Sequence, residues 1–232
     1  MTKTIVVGDL HGRIEIALKA SQLLHEGYNL CFMGDYLDSF DRSVDDQVNT
    51  LLHVLHLVDK YPDRVVALKA NHEMSYLSGK TCSGWKSETQ CLVDAIGRYR
   101  IDTTLVSYTF IEGFLISHAG VSLKALKAIP ISLGEYLSVG EEGGLFDKVG
   151  GARGGYGCGG LYWCDWFEEF EPLKEQPQIV GHSGYRPEGV PKGVLQKGNS
   201  YNVDCFEHCN EVLILEDGCA TVQDIYIAYE GV

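Results

Sequence analysis

Short apolar, β-branched runs alternate with amphipathic stretches through the first third of the chain, and this alternation restricts the fold more than any other feature. Thr4 to Val7, Leu30 to Met33 and Val65 to Leu68 read as strands. Between them, Arg13 to Glu26 carries Ile14, Ala17, Leu18 and Leu24 at helical spacing. Ser43 to Lys60 reads as a long helix opened by a Ser-x-x-Asp cap at Ser43 and Asp46. Crossovers this short favour a parallel sheet with right-handed connections, so the fold class is α/β. At 232 residues the chain suits one such domain, expected over 1–232.

Later segments continue the pattern less regularly. A helix is predicted from Glu88 to Arg98, with strands near Leu105–Phe110, Phe114–Ser117 and Gln178–Val180. Glycines then crowd GEEGGLFDKVGGARGGYGCGG from Gly140 to Gly160, which predicts a long mobile loop around Arg153. The tail is strand-rich at Ser200–Cys205, Glu211–Leu215 and Thr221–Tyr229, with antiparallel pairing expected. The acids Glu168, Glu169 and Glu171 read as a solvated face, and His53 and His56 as packing residues of the second helix.

Charge and cysteine content narrow the function classes. The 19 basic and 32 acidic residues leave a net charge of −13, which repels phosphate backbones and argues against broad nucleic-acid binding. Bound cations would be one way to make a local anion site on such a surface. The opening MTKTIVVGDLHGR lacks the features of a signal peptide, and no stretch approaches the roughly 18 apolar residues of a membrane span. The eight cysteines form no Cys-x-x-Cys pair and read as reduced thiols, so a cytoplasmic location without membrane attachment is expected. Cys205, His208 and Cys209 have the look of a metal clip but lack a visible fourth ligand; buried thiols are the simpler reading.

The conspicuous polar residues sit where predicted strands end. They are Gly8-Asp9-Leu10-His11-Gly12, Gly34-Asp35-Tyr36-Leu37-Asp38, Asn71-His72-Glu73, Ser117-His118-Ala119-Gly120 and Gly181-His182-Ser183. In open α/β sheets the crevice at the carboxyl ends of strands is the ligand site. Asp, Asn and His together there describe a divalent-metal site with mixed oxygen and nitrogen ligands. Two ions about 3.5–4 Å apart need a bridging carboxylate. Asp35 is the natural bridge, with Asp9 and His11 on one ion and Asn71, His118 and His182 on the other. Capping and core hydrogen bonding would explain any one of these residues, but not the ordered set.

That ordered set resembles the calcineurin-like metallophosphoesterases, and within them the phosphoprotein-phosphatase-type branch, which includes bacterial and bacteriophage serine/threonine phosphatases. The motifs run from Asp9 to His182, and Tyr201-Asn202-Val203-Asp204 is similar to a stretch that follows the last histidine in that branch. The resemblance implies a central β-sandwich flanked by helices. It also implies two divalent ions, commonly Mn²⁺ with iron or zinc as alternatives, and attack on phosphorus by a metal-bridging hydroxide. His72 matches the general acid and Asp38 the carboxylate that orients it.

Two departures concern the grip on substrate. Ser39 stands where the family has a phosphate-binding arginine, and Asp165 stands near where it has a second, after Tyr162-Trp163-Cys164. Arg153 in the glycine-rich loop is the leading replacement, with Arg42 and Arg13 as competitors; Arg13 reads equally well as a helix-end residue. Arg186 reads as a solvated loop residue. Trp163, Trp166 and Tyr162 either fill the core or stack a base.

The implied function is a metal-dependent phosphatase for phosphomonoesters, with phosphorylated protein (Ser/Thr) or small phosphoesters as substrate. The alternatives are a nucleotide or dinucleoside polyphosphate hydrolase, and a non-catalytic metal-binding module. An intact His72–Asp38 dyad argues against the last.

Overall fold

A computed structural model describes residues 3–226. Ten strands form two five-stranded sheets. The first combines β1 (Thr4–Val7), β2 (Asn29–Phe32) and β3 (Val65–Ala67), which run parallel, with a later antiparallel hairpin. The second contains β4 (Tyr108–Ile111), β5 (Phe114–Ser117), β6 (Gln178–Val180), β7 (Leu195–Lys197) and β8 (Ser200–Asn202), in the order β4-β5-β6-β8-β7. The hairpin of β9 (Glu211–Glu216) and β10 (Cys219–Asp224) returns to the first sheet, where β9 lies antiparallel to β1 with Ile5 opposite Ile214.

Alternation along the strands makes this a sandwich. Val6, Cys31 and Met33 point toward the second sheet and pack with Phe114, Ile116, Ile179 and Val203. Their neighbours Ile5, Val7, Leu30 and Phe32 point the other way. That outer face is covered by α1 (Ile14–His25) and α2 (Val44–Lys60), through Ala17, Leu24, Leu51 and Leu55. Ser43 caps α2 by accepting from the Asp46 amide at 3.0 Å. On α2, His53 is half-buried near Ser21 and His56 is exposed.

Several sequence expectations are corrected. Asn71-His72-Glu73 does not merely end a strand; it forms the first turn of α3 (Asn71–Ser78). The helix predicted from Glu88 to Arg98 is two, α4 (Ser87–Ile96) and α5 (Arg98–Thr104), separated by Gly97 at φ 102°. Leu105 therefore ends a helix, and the strand predicted from there begins only at Tyr108. Two short helices, α6 (Leu123–Ala128) and α7 (Leu133–Val139), cover the outer face of the second sheet; Ser132 and Glu135 close a capping box on α7. In the tail, β8 pairs in parallel with β6 rather than joining an antiparallel meander. The part of the last predicted strand at 227–229 lies outside the described residues.

The segment from Gly140 to Gly160 is packed, not a free loop. Phe146 is buried in the core beside Tyr136 and Tyr162. Glu169, expected on a solvated face, is 6% exposed and accepts from the backbone amides of Ala152 (2.9 Å), Gly159 (2.7 Å) and Asp165 (3.3 Å). A Cβ on Gly150 would sit 2.2 Å from both Glu169 carboxylate oxygens, so glycine is required there by contact rather than by mobility. The density of glycines misled because close approach and flexibility leave the same mark on a sequence.

Candidate metal centre and active site

Both sheets deliver polar residues to one edge of the sandwich. The first sheet supplies Asp9 and His11 after β1, Asp35 and Asp38 after β2, and Asn71 after β3. The second supplies His118 after β5, His182 after β6 and Asp204 after β8. His11, Asp35, Asp38 and His182 hold φ values of 42°, 48°, 59° and 66°. Such left-handed conformations cost a non-glycine residue on the order of 1–3 kcal/mol each and concentrate at functional sites.

Asp35 lies at the centre. Its Oδ2 is 3.4 Å from His118 Nε2, 3.6 Å from His11 Nε2 and 3.9 Å from His72 Nε2. Besides Asp38, His72 and Cys82, two groups of potential ligand atoms at this site lie within 4.8 Å of one another: His11, Asp35 and His72, and Asp35, His118 and His182. Asp35 is common to both.

The hydrogen bonds show what these groups face. His11 Nδ1 donates to the Leu37 carbonyl and His118 Nδ1 to the Met33 carbonyl, each at 3.0 Å. In a neutral imidazole this leaves each Nε2 as a lone pair aimed into the site. His118 Nε2 then meets Asn71 Oδ1 at 2.8 Å and the Asp35 carboxylate: acceptor against acceptor, an arrangement that calls for a proton or a cation. Asp9 Oδ1 and His182 Nε2 are buried without any partner, although Asp9 Oδ2 accepts from the His182 amide at 2.8 Å. Buried polar atoms are rarely left so, and divalent ions would satisfy these lone pairs. The residues present therefore fit a metal pair.

The electrostatics of these side chains follow the same geometry. Burial, then the charges of Asp204 and Asp35, push the Asp9 carboxyl well above its ordinary range; burial also raises Asp204. Burial works to raise Asp35, but the imidazoles of His118, His72 and His11 outweigh it and hold Asp35 well below the usual carboxylate range. Burial beside His118 and Arg153 holds His182 neutral, well below an ordinary histidine. Glu73, pushed up to about 7 mainly by burial and the nearby Asp35 charge, accepts from the amides of Asp35, Tyr36 and Leu37 and fixes the turn after β2.

His72 is held differently from the others. Its Nδ1 is 2.8 Å from Asp38 Oδ2, while Nε2 faces Asp35. Asp38 Oδ1 receives the Tyr76 hydroxyl, and the Asp38 amide donates to Gln47 at 2.9 Å. Burial tends to lower the His72 imidazole, but the Asp35 charge and the bonds to Asp38 and Cys82 lift it well above 6.5. Cys82 lies 3.3 Å from His72 Nδ1. Nothing in its sequence neighbourhood marked it, nor did any pattern mark Tyr76 or Glu73 as supports.

Of these groups, His11, Asp35, Asp38, Asn71, His72, Cys82, His182 and Asp204 line a cavity of about 850 Å³. Of the three candidate arginines, Arg13 and Arg153 line it and Arg42 does not. Arg42 instead pairs with Glu15 at 2.8 Å, which corrects its expected place at the substrate. Arg13 is buried and donates to the Leu10 carbonyl at 3.3 Å. Arg153 reaches Asp165 Oδ2 at 3.2 Å and the His182 carbonyl at 3.3 Å, with 35% of its side chain exposed. Asp165 thus pairs with Arg153, the arginine expected from the sequence to make the phosphate contact that Asp165 cannot. Ser39 spends its hydroxyl on Asp41 at 2.6 Å. Arg186 is no solvated arginine; it donates to the carbonyls of Ser183, Gly184, Gly193 and Asp204. Trp163 lines the cavity edge-on to His182 at 5.8 Å, while Tyr162 and Trp166 are buried in the core.

Outside this cavity, Cys205, His208 and Cys209 form no potential metal group among the described residues. No described helix is long and apolar enough to cross a membrane.

Comparison with known proteins bears on this geometry. The family model described as calcineurin-like phosphoesterase matches residues 2–186. A curated relative, the serine/threonine-protein phosphatase PP2A-like PPG1 of Saccharomyces cerevisiae, is 25% identical over 202 residues, covering 82% of this chain and 49% of its own. The chain thus spans about half the length of that relative. Among solved structures, a cold-active protein-tyrosine phosphatase of a Shewanella species superposes with a TM-score of 0.62 at 16% identity, over 96% of this chain and 80% of that one. A protein serine/threonine phosphatase from S. cerevisiae, described as similar to human phosphatase PP5, gives 0.58 at 15% identity, over 96% and 79%. At such identities the structures speak for the fold.

Proposed function

The chain belongs to the calcineurin-like phosphoesterase family, a metal-dependent group of hydrolases, and from that premise we propose that it hydrolyses phosphomonoesters, with phosphoserine and phosphothreonine in proteins as its substrates. The observation that carries the reading is Asp35, shared by two histidine groups beside the unpartnered Asp9 Oδ1 and His182 Nε2. Asp9, His11 and Asp35 would hold one ion; Asp35, Asn71, His118 and His182 would hold the other. Two divalent cations, manganese before iron or zinc, would supply neutralisation of the phosphoryl oxygens and a lowered pKa for the attacking water.

The protein's own groups do the rest. His72, with Nδ1 held by Asp38, keeps a proton on Nε2 and gives it to the leaving oxygen. Arg153 and Arg13 bind the phosphate in the cavity wall, with Asp165 and the His182 carbonyl orienting Arg153 until substrate arrives. The name of the yeast relative supports phosphoprotein as substrate. Trp163 in the cavity wall favours a second reading, hydrolysis of a nucleotide or dinucleoside polyphosphate stacked on its indole.

The test is a manganese-supplemented hydrolysis panel of p-nitrophenyl phosphate, its bis-ester, Ser-, Thr- and Tyr-phosphopeptides, and dinucleoside polyphosphates. Highest kcat/KM on Ser/Thr phosphopeptides is expected. Preference for dinucleoside polyphosphates would transfer the assignment to the second reading, and turnover of none would overturn both.

A further inference from the structure

A second group of reactive side chains lies behind the cavity wall, outside the proposed metal centre. The segment from Cys158 to Cys164 doubles back tightly: the amides of Trp163 and Cys164 donate to the Gly160 carbonyl at 2.9 and 3.0 Å. A Cβ on Gly159 would meet the Trp163 carbonyl oxygen at 2.4 Å, so only glycine permits this approach. The fold thereby brings the Cys158 and Cys164 sulfurs within 4.8 Å of each other and of a Glu169 carboxylate oxygen. Cys164 is buried and Cys158 is partly accessible.

We propose that Cys158 and Cys164 are an oxidant-sensitive dithiol, and that closing it to a disulfide weakens phosphate binding by resetting the segment that carries Arg153 and Trp163. The effect on binding rests on the phosphate-gripping role given to Arg153 above; the formation of the bond does not.

A metal is the competing use of this trio. Structural zinc sites take four ligands, and here three residues are present, with the carboxylate of Glu169 already accepting from three backbone amides. Two thiols with no further ligand are instead suited to oxidation. The Cys158 thiol is lowered by hydrogen bonds from Cys164 and Ser122, against burial, and Cys164 is raised well above its ordinary value by its bond to Cys158 and by burial. Cys158, the less buried of the two, is the nucleophile and Cys164 the resolving thiol.

The chemistry balances with a peroxide as oxidant. The Cys158 thiolate attacks one peroxide oxygen, the O–O bond breaks, and Cys158 sulfenic acid and hydroxide form. Cys164 sulfur then attacks the Cys158 sulfur; the S–O bond breaks, the S–S bond forms, and hydroxide leaves with the thiol proton as water. The two thiols lose two electrons, and hydrogen peroxide becomes two waters. Sulfenic acid is uncharged, so its formation removes the negative neighbour that disfavours the Cys164 thiolate.

The route to the cavity is short. Cys158 precedes Gly159 and Cys164 precedes Asp165, the two residues whose amides share Glu169 Oε2. The other oxygen, Oε1, holds Ala152, the neighbour of Arg153. Asp165 is itself the partner of Arg153, and Trp163 stands between the two cysteines against His182. Drawing the sulfurs to about 2.05 Å moves these anchors together.

The experiment treats the manganese-supplied full chain with hydrogen peroxide, blocks remaining thiols, digests without reductant and maps linked peptides by mass spectrometry. A Cys158–Cys164 link is expected. With it, KM for p-nitrophenyl phosphate should rise about tenfold, the loss of one charged hydrogen bond, at unchanged metal content and reversibly with dithiothreitol. Cys158→Ser should form no link and keep its KM under peroxide, which separates this effect from oxidation at Cys82 or of the metals. Cys164→Ser should leave a Cys158 sulfenic acid that a dimedone-type reagent traps. A link only between Cys205 and Cys209, a KM rise that persists in Cys158→Ser, a link without any KM change, or a zinc ion that shields both thiols would each overturn the proposal. Arg153→Ala on the reduced protein reads the phosphate-gripping role by itself.

Discussion

At the floor of the cavity and buried just behind it, Asp9, His11, Asp35, Asn71, His118 and His182 each follow a strand by no more than four residues. Along its wall, Arg153 and Trp163, with Asp165 paired to Arg153, come from a stretch without strands, between α7 and β6, that is held by the buried carboxylate of Glu169. The floor is positioned by regular backbone: each residue sits a fixed few steps beyond a strand, and bonds such as that of the His182 amide to Asp9 join distant parts of the chain there. The wall is positioned by side-chain contacts within the stretch itself, 4 to 17 residues apart. Precision is thus inherited from the sheets at the floor, and must be rebuilt by packing at the wall.

Disabling the floor should have the largest effect. Asp35→Asn keeps the volume and tolerates the left-handed backbone but removes the shared charge, so both ions should bind more weakly by more than roughly 100-fold, beyond what loss of an outer-sphere partner costs. Elemental analysis showing two ions retained at full affinity would refute the bridging role. Next comes the dyad. His72→Asn should lower kcat by roughly 10²–10⁴ on alkyl phosphates and less on aryl phosphates, whose leaving oxygen needs little protonation. Because Asp38 is one of the groups that lift the His72 pKa, Asp38→Asn should move the alkaline limb of the kcat profile to lower pH. An unmoved limb, or equal losses on both substrate types, would remove His72 as the acid.

Changes to the wall should be milder and of a different kind. Arg153→Ala should raise KM and weaken phosphate inhibition about tenfold while metal content stays constant, whereas Arg42→Ala, paired with Glu15 away from the cavity, should change neither. The reverse outcome would erase the distinction drawn here. The smallest effect on chemistry is expected of Glu169→Gln. It removes charge from a carboxylate that holds three amides, and should cost about 1–3 kcal/mol of stability in chemical unfolding, with KM rising more than metal affinity falls. Equal losses in both would mean that floor and wall are one unit.

The same contrast explains how far the sequence could be read. The three parallel strands and α1 and α2 were evident because strand and helix periods are local. The candidate metal ligands were evident because five motifs share one position relative to strands. Glu169 was not: a glutamate among acids looks solvated until the amides of residues 152, 159 and 165 are seen to converge on it. Arg153 led Arg42 only through its glycine-rich setting, since only tertiary structure tells which guanidinium meets Glu15 and which meets Asp165. Tyr76 and Cys82 gave no signal, because contact with Asp38 and His72 depends on how α3 and the following turn fold back. The helices α6 and α7 were too short to show a period.

The closure of β9 onto β1 sets the order of events during synthesis. The hydrogen bond that seats Asp9 comes from an amide 173 residues further along the chain, and the strand that completes the first sheet ends at Glu216. A ribosome-bound chain that has exposed only its first half carries Asp9, His11, Asp35 and Asn71 but none of the second sheet's histidines. It has half a coordination sphere and an unpaired edge along β1, which is a surface that chaperones or neighbouring strands can occupy. The metal centre proposed above is therefore complete only after the second sheet has formed and β9 has docked on β1, so the proposed hydrolysis would begin late and at once.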